Sequence, residues 1–356
     1  MIPLFRPYVP EYLPELEKIL HSGQLAYGKY AHEFERQLAE YIGIDRVLCT
    51  NSFNSAYLLL IKALGIKAGD EVIASPMCCL ASSQPFAVSG VKLIWADIDP
   101  TTGTLDPVSV RKSITTKTKA IVHNHFCGYV GYIDEIKEIT NNNGLLLIDD
   151  VSEAFGSEYK GFKAGNWDAD ATVYSFQTVR LPNSIDGGGL SFKNCLHAEK
   201  ALLLRDYGID RAHFRDDIGE IWSGCDIKVA AFGVLPSDIN SYIGSRTLRQ
   251  TDNLFKKQRE NAILWEEALP RQFATPLIPL KNTTPNYWVF GTLAEKKREF
   301  IEMMRRRYNY YASSVHLPNN HYSLFGINRE LPGVTEFQNH FVALPSGWWI
   351  NKVEIK

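Results

Sequence analysis

The stretch that decides the fold reads LLLIDDVSEAFGSEYKG over residues 145–161 and continues as ATVYSFQTVRLPNSIDGGGLSF over residues 171–192. The first apolar run ends in two carboxylates, Asp149 and Asp150, and the second ends at Ser175, ahead of a glycine-rich turn. Apolar runs that end in polar side chains are typical of parallel strands, whose carboxyl ends bind ligands in open α/β sheets. We therefore expect a ligand site where these two strands end.

The alternation of strands and helices extends over the first two thirds of the chain and predicts an α/β fold with a parallel sheet covered by helices. Strands are predicted at residues 47–50, 71–75, 91–96, 119–123, 145–149, 171–176 and 189–192. Helices are predicted at residues 55–64 and 133–140, and Asp106 before Pro107 predicts a further helix start.

The pattern changes near residue 246, where a long charged helix (246–268) leads into proline-rich segments. A strand near residues 286–293 and a helix at 295–310 follow. We expect two domains, a large one over residues 1–245 and a smaller α+β domain over residues 246–356.

The composition of the 356 residues, 45% apolar and 22% charged, is that of a globular protein. The formal net charge is -2 with scattered Lys and Arg residues, so no basic surface for nucleic acid is expected. No apolar run is long enough to span a bilayer, and the N-terminal MIPLFRPYVPEY lacks the apolar segment of a signal peptide. The six cysteines have no metal-ligand spacing, and Cys78 and Cys79 are adjacent. We expect a cytoplasmic protein with reduced thiols, no metal site and no membrane partner.

Several further segments, in order along the chain, carry a resemblance to a known family. They read SGQLAYGKYAHEFERQLAEYIG (22–43), LGIKAGDEVIASP (64–76), VKLIWADIDPTTGTLDP (91–107), HFCGYVGYIDEI (125–136), YKG (159–161) and FVALPSGWW (341–349). Together with residues 145–192 they resemble the DegT-type nucleotide-sugar aminotransferases of the aspartate aminotransferase superfamily. The resemblance implies the three-layer fold type I of pyridoxal phosphate (PLP) enzymes, with a mixed, mostly parallel seven-stranded sheet and a smaller C-terminal α+β domain. It also implies a homodimer that acts on nucleotide sugars for surface polysaccharides.

The resemblance assigns a set of cofactor-binding residues. Asp150 matches the Asp that pairs with the pyridinium nitrogen, and the alternatives are a helix cap or an exchange of roles with Asp149. Ser175 and the helix start at Ser52, Asn54 and Ser55 match the phosphate cradle, although Phe53 replaces a glycine and would crowd it. Leu80 matches the aromatic that stacks on the ring, and core packing is the favoured interpretation of a leucine there.

Arg180 is the main departure from the family pattern. It lies five residues after Ser175 and seven before Gly187, the spacing of the lysine that forms the Schiff base with PLP. A guanidinium stays protonated and cannot form that bond. Arg180 is therefore either a surface or ion-pair arginine, or a clamp on a phosphate or carboxylate in the cofactor cavity.

Three hypotheses of function follow from this departure. In the first, the protein acts on a nucleotide-linked keto sugar with PLP or pyridoxamine phosphate (PMP) held non-covalently, and Glu153 or His125 is the candidate base. In the second, it is a catalytically inactive sugar- or nucleotide-binding homologue that partners an active paralogue. The third, an ordinary transaminase that uses Lys160, Lys163 or Lys193, is the least favoured on spacing.

Overall fold

The central sheet has seven strands in a computed structural model, which describes residues 1–326 and 330–353. These strands are β1 (Leu48–Thr50), β2 (Glu71–Ala74), β3 (Lys92–Trp95), β4 (Thr118–Asn124), β5 (Leu146–Asp150), β8 (Ala171–Ser175) and β9 (Gly188–Phe192). Their order is β1-β9-β8-β5-β4-β2-β3. Only β9 runs antiparallel to its neighbours in this sheet, so the mixed, mostly parallel sheet of the prediction is confirmed.

Two small three-stranded sheets complete the β structure of the described residues. Their strands are β6 (Glu158–Tyr159), β7 (Phe162–Lys163), β10 (Thr275–Pro276), β11 (Thr283–Thr284), β12 (Phe290–Leu293) and β13 (Phe341–Leu344). One sheet has the order β10-β12-β13 and the other β11-β6-β7. The second therefore joins the β6–β7 hairpin to β11, a strand more than 100 residues further along the chain.

The helices surround the sheets. They are α1 (Leu16–Leu20), α2 (Lys29–Ile42), α3 (Phe53–Ala63), α4 (Leu80–Val88), α5 (Pro107–Ser113), α6 (Ile133–Asn143), α7 (Cys195–Arg205), α8 (Asp238–Leu248), α9 (Thr251–Ala268), α10 (Lys297–Arg306) and α11 (Pro332–His340). Asp106 caps α5 as predicted, since its carboxylate accepts the N–H groups of Val108 and Ser109. No helix of the residues that the structure describes is long and apolar enough to cross a membrane.

Several predicted helix boundaries are wrong, among them that of the helix at 295–310, which in the structure is α10 (Lys297–Arg306). Helix α6 continues through the polar run to Asn143 and ends at Gly144, whose φ of 63° is left-handed. The Asn143 side chain donates to the carbonyl of Ile139, so it supports the last helical turn. The predicted helix at 246–268 is two helices, α8 and α9, and α8 crosses the position at which the two domains were divided.

The sheet alternates its side chains between two apolar layers, and this alternation positions the ligand site. On β5, Ile148 packs in the cluster that contains Tyr57 of α3, whereas Leu147 packs in the cluster that contains Ile136 of α6. Successive strand residues point to opposite faces. Asp149 therefore lies on the α6 side of the sheet and Asp150 on the α3 side.

Candidate functional site

Asp150 ends β5 and is 2% exposed. Its Oδ2 accepts hydrogen bonds from the Tyr57 hydroxyl and the Ser82 hydroxyl, each at 2.7 Å, and its Oδ1 accepts the Ser152 N–H at 3.0 Å. Burial, together with the Asp150 carboxylate, raises the pKa of Tyr57 well above its ordinary value, so the phenol is a donor. These partners are all neutral, and Oδ1 keeps an unused lone pair. The arrangement suits a cationic N–H ligand.

The start of α3 lies next to this carboxylate in the fold. The Ser52 hydroxyl accepts the Ser55 N–H at 3.1 Å, so that amide is engaged in the cap. The Phe53 and Asn54 amides belong to the first turn, where N–H groups have no partner within the helix. The Phe53 ring is buried and packs edge-to-face on Tyr57. The expectation that Phe53 crowds the helix start is therefore wrong for its side chain.

Ser175 ends β8 beside the α3 start. Its hydroxyl has contacts only with Gln177, both at 3.5 Å, among the residues that the structure describes. Gly188 pairs with both Ser175 and Thr50, and a Cβ at Gly188 would lie 2.6 Å from the Ser52 carbonyl oxygen. This close approach requires glycine and holds the Ser175 hydroxyl, with its long bonds to Gln177, near the first-turn amides of α3, an arrangement that suits an anion.

Leu80 and Cys79 lie at the start of α4. Leu80 is 37% exposed, so the interpretation of Leu80 as a core residue is wrong. Burial raises the pKa of the Cys79 thiol, with smaller effects from Glu153, Arg180 and Asp150.

Arg180 is buried, which excludes the surface interpretation, and its Nη2 lies 3.3 Å from Glu153 Oε1. Its guanidinium carbon lies 4.0 Å from the centroid of the Trp288 ring. The Nε and Nη1 atoms have no partner among the described residues. Arg180 is thus an ion-pair arginine that still has buried N–H groups to offer.

Glu153 joins three parts of the chain. Its Oε2 accepts the Cys127 N–H at 2.7 Å, and its Oε1 contacts both Arg180 and His316 Nε2, the latter at 2.9 Å. Burial alone would raise the pKa of Glu153, but His316, Arg180 and the Cys127 N–H together lower it to about 2. A carboxylate with so low a pKa is a poor proton acceptor near neutrality, which disfavours Glu153 as the base.

His316 was missed from the sequence. It lies in residues 313–319, which we call the docking segment. Residues 314–318 have no regular secondary structure, and Asn319 begins a short 3-10 helix (Asn319–His321). The Asn319 side chain donates to Ser83 Oγ at 2.8 Å, and the Asn319 N–H donates to the Pro76 carbonyl at 2.8 Å. The docking segment is therefore anchored on both Glu153 and the α4 region. No sequence periodicity marks such an irregular segment.

His125 lies apart from Asp150, on the opposite face of the sheet. His123 Nδ1 and His125 Nε2 each lie 3.8 Å from Asp149 Oδ1, and all three side chains are buried. Burial lowers the pKa of both histidines to about 3 and raises that of Asp149 to about 7. The candidate base His125 is therefore wrongly placed for a site at Asp150.

His123, His125 and Asp149 also form a group of potential metal ligands, with donor atoms within 4.8 Å of one another. The Gly131 N–H donates to His125 Nδ1 at 3.1 Å. A neutral imidazole that accepts at Nδ1 carries its proton on Nε2. His125 thus presents an N–H, not a lone pair, to Asp149.

The larger surface clefts lie elsewhere. One of about 480 Å³ includes Gly43 and Cys195, and one of about 600 Å³ includes Arg271 and His340. Lys193, a candidate lysine of the least favoured hypothesis, lines the first cleft, whereas Asp150, Ser175 and Arg180 line neither. The chemistry of the buried groups, not cleft size, therefore locates the site.

Comparison with known proteins identifies the family. Residues 9–351 match the DegT/DnrJ/EryC1/StrS aminotransferase family. The spore coat polysaccharide biosynthesis protein SpsC of Bacillus subtilis is 27% identical over 94% of this chain and 89% of its own length. The dTDP-4-dehydro-2,3,6-trideoxy-D-glucose 4-aminotransferase of Saccharopolyspora spinosa is 25% identical over 100% of this chain and 94% of its own. The crystal structure of AtS13 from Actinomadura melliaura has a TM-score of 0.91 and 28% identity, covering 99% of this chain and 95% of that one.

The fold is that of the PLP-type sugar aminotransferases. The chain belongs to the DegT/DnrJ/EryC1/StrS aminotransferase family. Its relatives are aminotransferases of nucleotide-sugar and polysaccharide biosynthesis.

Proposed function

We propose that this protein binds a nucleotide-linked keto sugar and holds PLP or PMP without a covalent bond, so that it is not an ordinary transaminase. The observation that carries the proposal is Arg180, which has the spacing of the Schiff-base lysine and is buried in an ion pair with Glu153. A buried guanidinium supplies no neutral amine for a bond to the PLP aldehyde.

The residues near Asp150 fit a pyridoxal-type group. Asp150 has only neutral donors and would hold the protonated ring nitrogen, and Ser175 with the first turn of α3 would hold the phosphate. When bound, the group supplies an electron sink. The exposed Leu80 is available to cover a ring face, and a solved structural neighbour from Streptococcus pneumoniae exists in PMP and PLP forms.

The substrate class is proposed from the relatives. Their names specify sugars linked to dTDP, UDP and GDP. We infer a nucleotide-linked 4-keto sugar in a pathway to a surface polysaccharide, handled in the cytoplasm by a homodimer. The division into a large domain (1–245) and a small domain (246–356) belongs to the same proposal.

A specific observation favours a second candidate, a binding homologue without catalysis that partners an active paralogue. Glu153 is held as a weak base and Arg180 as a permanent cation, so neither of these two residues accepts a proton near neutrality. Under this candidate the protein binds the nucleotide sugar and leaves it unchanged.

Isothermal titration calorimetry with the purified protein tests the proposal. The titrants are PMP and dTDP-, UDP- and GDP-linked 4-keto-6-deoxyhexoses. We expect saturable binding of PMP and of at least one of the nucleotide sugars. If no nucleotide sugar binds, both candidates are contradicted. If a nucleotide sugar binds but PMP does not, only the second candidate remains.

A further inference from the structure

The Glu153 carboxylate connects two groups of complementary chemistry. A single oxygen, Oε1, contacts Arg180 Nη2 at 3.3 Å and His316 Nε2 at 2.9 Å. The other oxygen is fixed by the Cys127 N–H. A permanent cation and an imidazole are therefore held side by side by one rigid anchor.

The contact with Glu153 determines which nitrogen of His316 is free. An ionised carboxylate only accepts hydrogen bonds, so His316 Nε2 carries the proton in the neutral ring and Nδ1 carries the lone pair. Among the residues that the structure describes, the ring makes its hydrogen bond through Nε2 to Glu153, and Nδ1 makes none. The side chain of His316 is 19% exposed, so the ring has an open side. A carboxylate that orients an imidazole in this way is the arrangement of a general base.

Arg180 offers N–H donors that can stabilise the negative charge formed when such a base removes a proton. Among the described residues its Nε and Nη1 have no hydrogen-bond partner, and its side chain is 6% exposed. Stacking on Trp288, whose indole N–H donates to the Val179 carbonyl, fixes the guanidinium plane. A preorganised cationic N–H group in a site that excludes water stabilises an oxyanion far better than water does.

We propose that His316 and Arg180 form an enolising pair that removes a proton from the carbon next to the carbonyl of a keto sugar. This inference rests on the proposed function, because it needs a nucleotide-linked keto sugar in the site. The C–H bond breaks, its proton passes to His316 Nδ1, and its electron pair forms a C=C bond. The carbonyl π electrons move to oxygen, where an Arg180 N–H holds the negative charge. Return of the proton regenerates the ketone, so the step consumes no oxidant or reductant.

The experiment follows proton exchange by ¹H NMR in D₂O, with dTDP-, UDP- and GDP-linked 4-keto-6-deoxyhexoses as probes. The protein is studied without added PLP or PMP, and a sample without protein gives the background rate. We expect loss of the proton signals at the carbons beside the carbonyl, at a rate well above that background.

Variants assign the step to the proposed residues. His316→Asn keeps a polar side chain but removes the base, and the exchange rate should fall by about 100-fold or more. His321→Asn, the same change on the exposed His321 nearby, is the matched control and should keep the wild-type rate. Arg180→Lys keeps the positive charge but moves the N–H donor, so the exchange rate should fall by about 10- to 100-fold.

The outcomes separate this inference from the proposed function. Calorimetry is repeated on each variant, and unchanged nucleotide-sugar affinity shows that His316→Asn is folded and binds. Binding by the wild type without exchange, or full exchange in His316→Asn, overturns the enolising pair alone. Absence of binding by the wild type overturns the proposed function and this inference together.

Discussion

Asp149 and Asp150 are neighbours in the sequence, yet the sheet places them in opposite environments. Asp150 faces α3 and accepts three hydrogen bonds, from Tyr57, Ser82 and Ser152. Asp149 faces the other side, where its Oδ1 has no hydrogen-bond partner in residues 1–326 and 330–353 and lies 3.8 Å from a nitrogen of each of two histidines. The pKa of Asp149 is raised to about 7, mainly by burial.

The two faces of β5 therefore differ in what their carboxylates can do: one can bind a ligand, and the other is buried among groups of the protein itself. The Asp150 side has an oriented carboxylate with neutral partners and spare acceptor capacity, which a cationic ligand can use. The Asp149 side has buried polar atoms without partners, each of which costs about 1–3 kcal/mol of stability. We therefore expect changes at Asp150 to alter binding and changes at Asp149 to alter stability.

The largest expected effect is on cofactor affinity. Asp150→Ala removes the carboxylate that we propose holds the ring nitrogen, so PMP affinity should fall by about 100-fold or more, to below detection by calorimetry. Asp149→Asn is the matched control and should change PMP affinity by less than about 3-fold, since its side chain lies on the other face. Equal losses in both variants would mean that the two faces are not separate.

The next effect concerns the Schiff base, the covalent bond between PLP and a lysine. Arg180→Lys places a primary amine at the spacing of the Schiff-base lysine, so PLP should now become reducible onto the protein by borohydride. Mass spectrometry of peptides locates the adduct, which we expect at position 180. Arg259→Lys, a change of the same type at a half-buried arginine that contacts Glu158, serves as the control. If Arg180→Lys binds PLP but yields no adduct, position 180 does not face the ring.

A stability effect with a defined pH dependence is expected on the other face. The folded pKa of Asp149 is raised from 3.8 to about 7, so the folded state keeps a proton that the unfolded chain releases between these values. Ionisation of Asp149 therefore lowers stability progressively as pH rises from about 4, and the loss is complete above pH 7. Asp149→Asn should be more stable than the wild type by on the order of 2 kcal/mol at pH 8, with the difference shrinking towards pH 4.

Urea denaturation at pH 8 and at pH 4.5 measures this difference. His316→Asn, which leaves Asp149 in place, is a control that should keep the wild-type trend across the same interval. If the stability difference between Asp149→Asn and the wild type is the same at both pH values, the raised pKa of Asp149 is contradicted.

The smallest effect is expected at Tyr57. Tyr57→Phe removes one of the three hydrogen bonds to Asp150 and keeps the ring, which packs on Phe53 and Phe86. The free energy of unfolding should fall by about 1–2 kcal/mol, since Ser82 and Ser152 still satisfy the carboxylate. Urea denaturation measures the free energy of unfolding. A decrease of more than about 4 kcal/mol would show that Tyr57 alone holds Asp150 in place.

The fold and the Asp150 side of the site were predictable because their signals are local. Apolar runs that end at Asp150 and Ser175 mark strand ends, and strand ends of a parallel sheet meet at one edge. The placement of His125 was wrong because a single residue of register decides which face a side chain takes. His316 was missed because its partner Glu153 is 163 residues away, and only the folded chain brings them together. Leu80 was misassigned because a leucine is most often a core residue.

The most direct test of non-covalent cofactor binding is titration of the wild-type protein with PLP, followed by borohydride reduction and peptide mass spectrometry. Calorimetry of the same samples reports whether PLP binds. We predict saturable binding and no reduced pyridoxyl adduct on any lysine at stoichiometric PLP. A stoichiometric adduct on one lysine would contradict the proposal, because the protein would then hold PLP as an ordinary transaminase does.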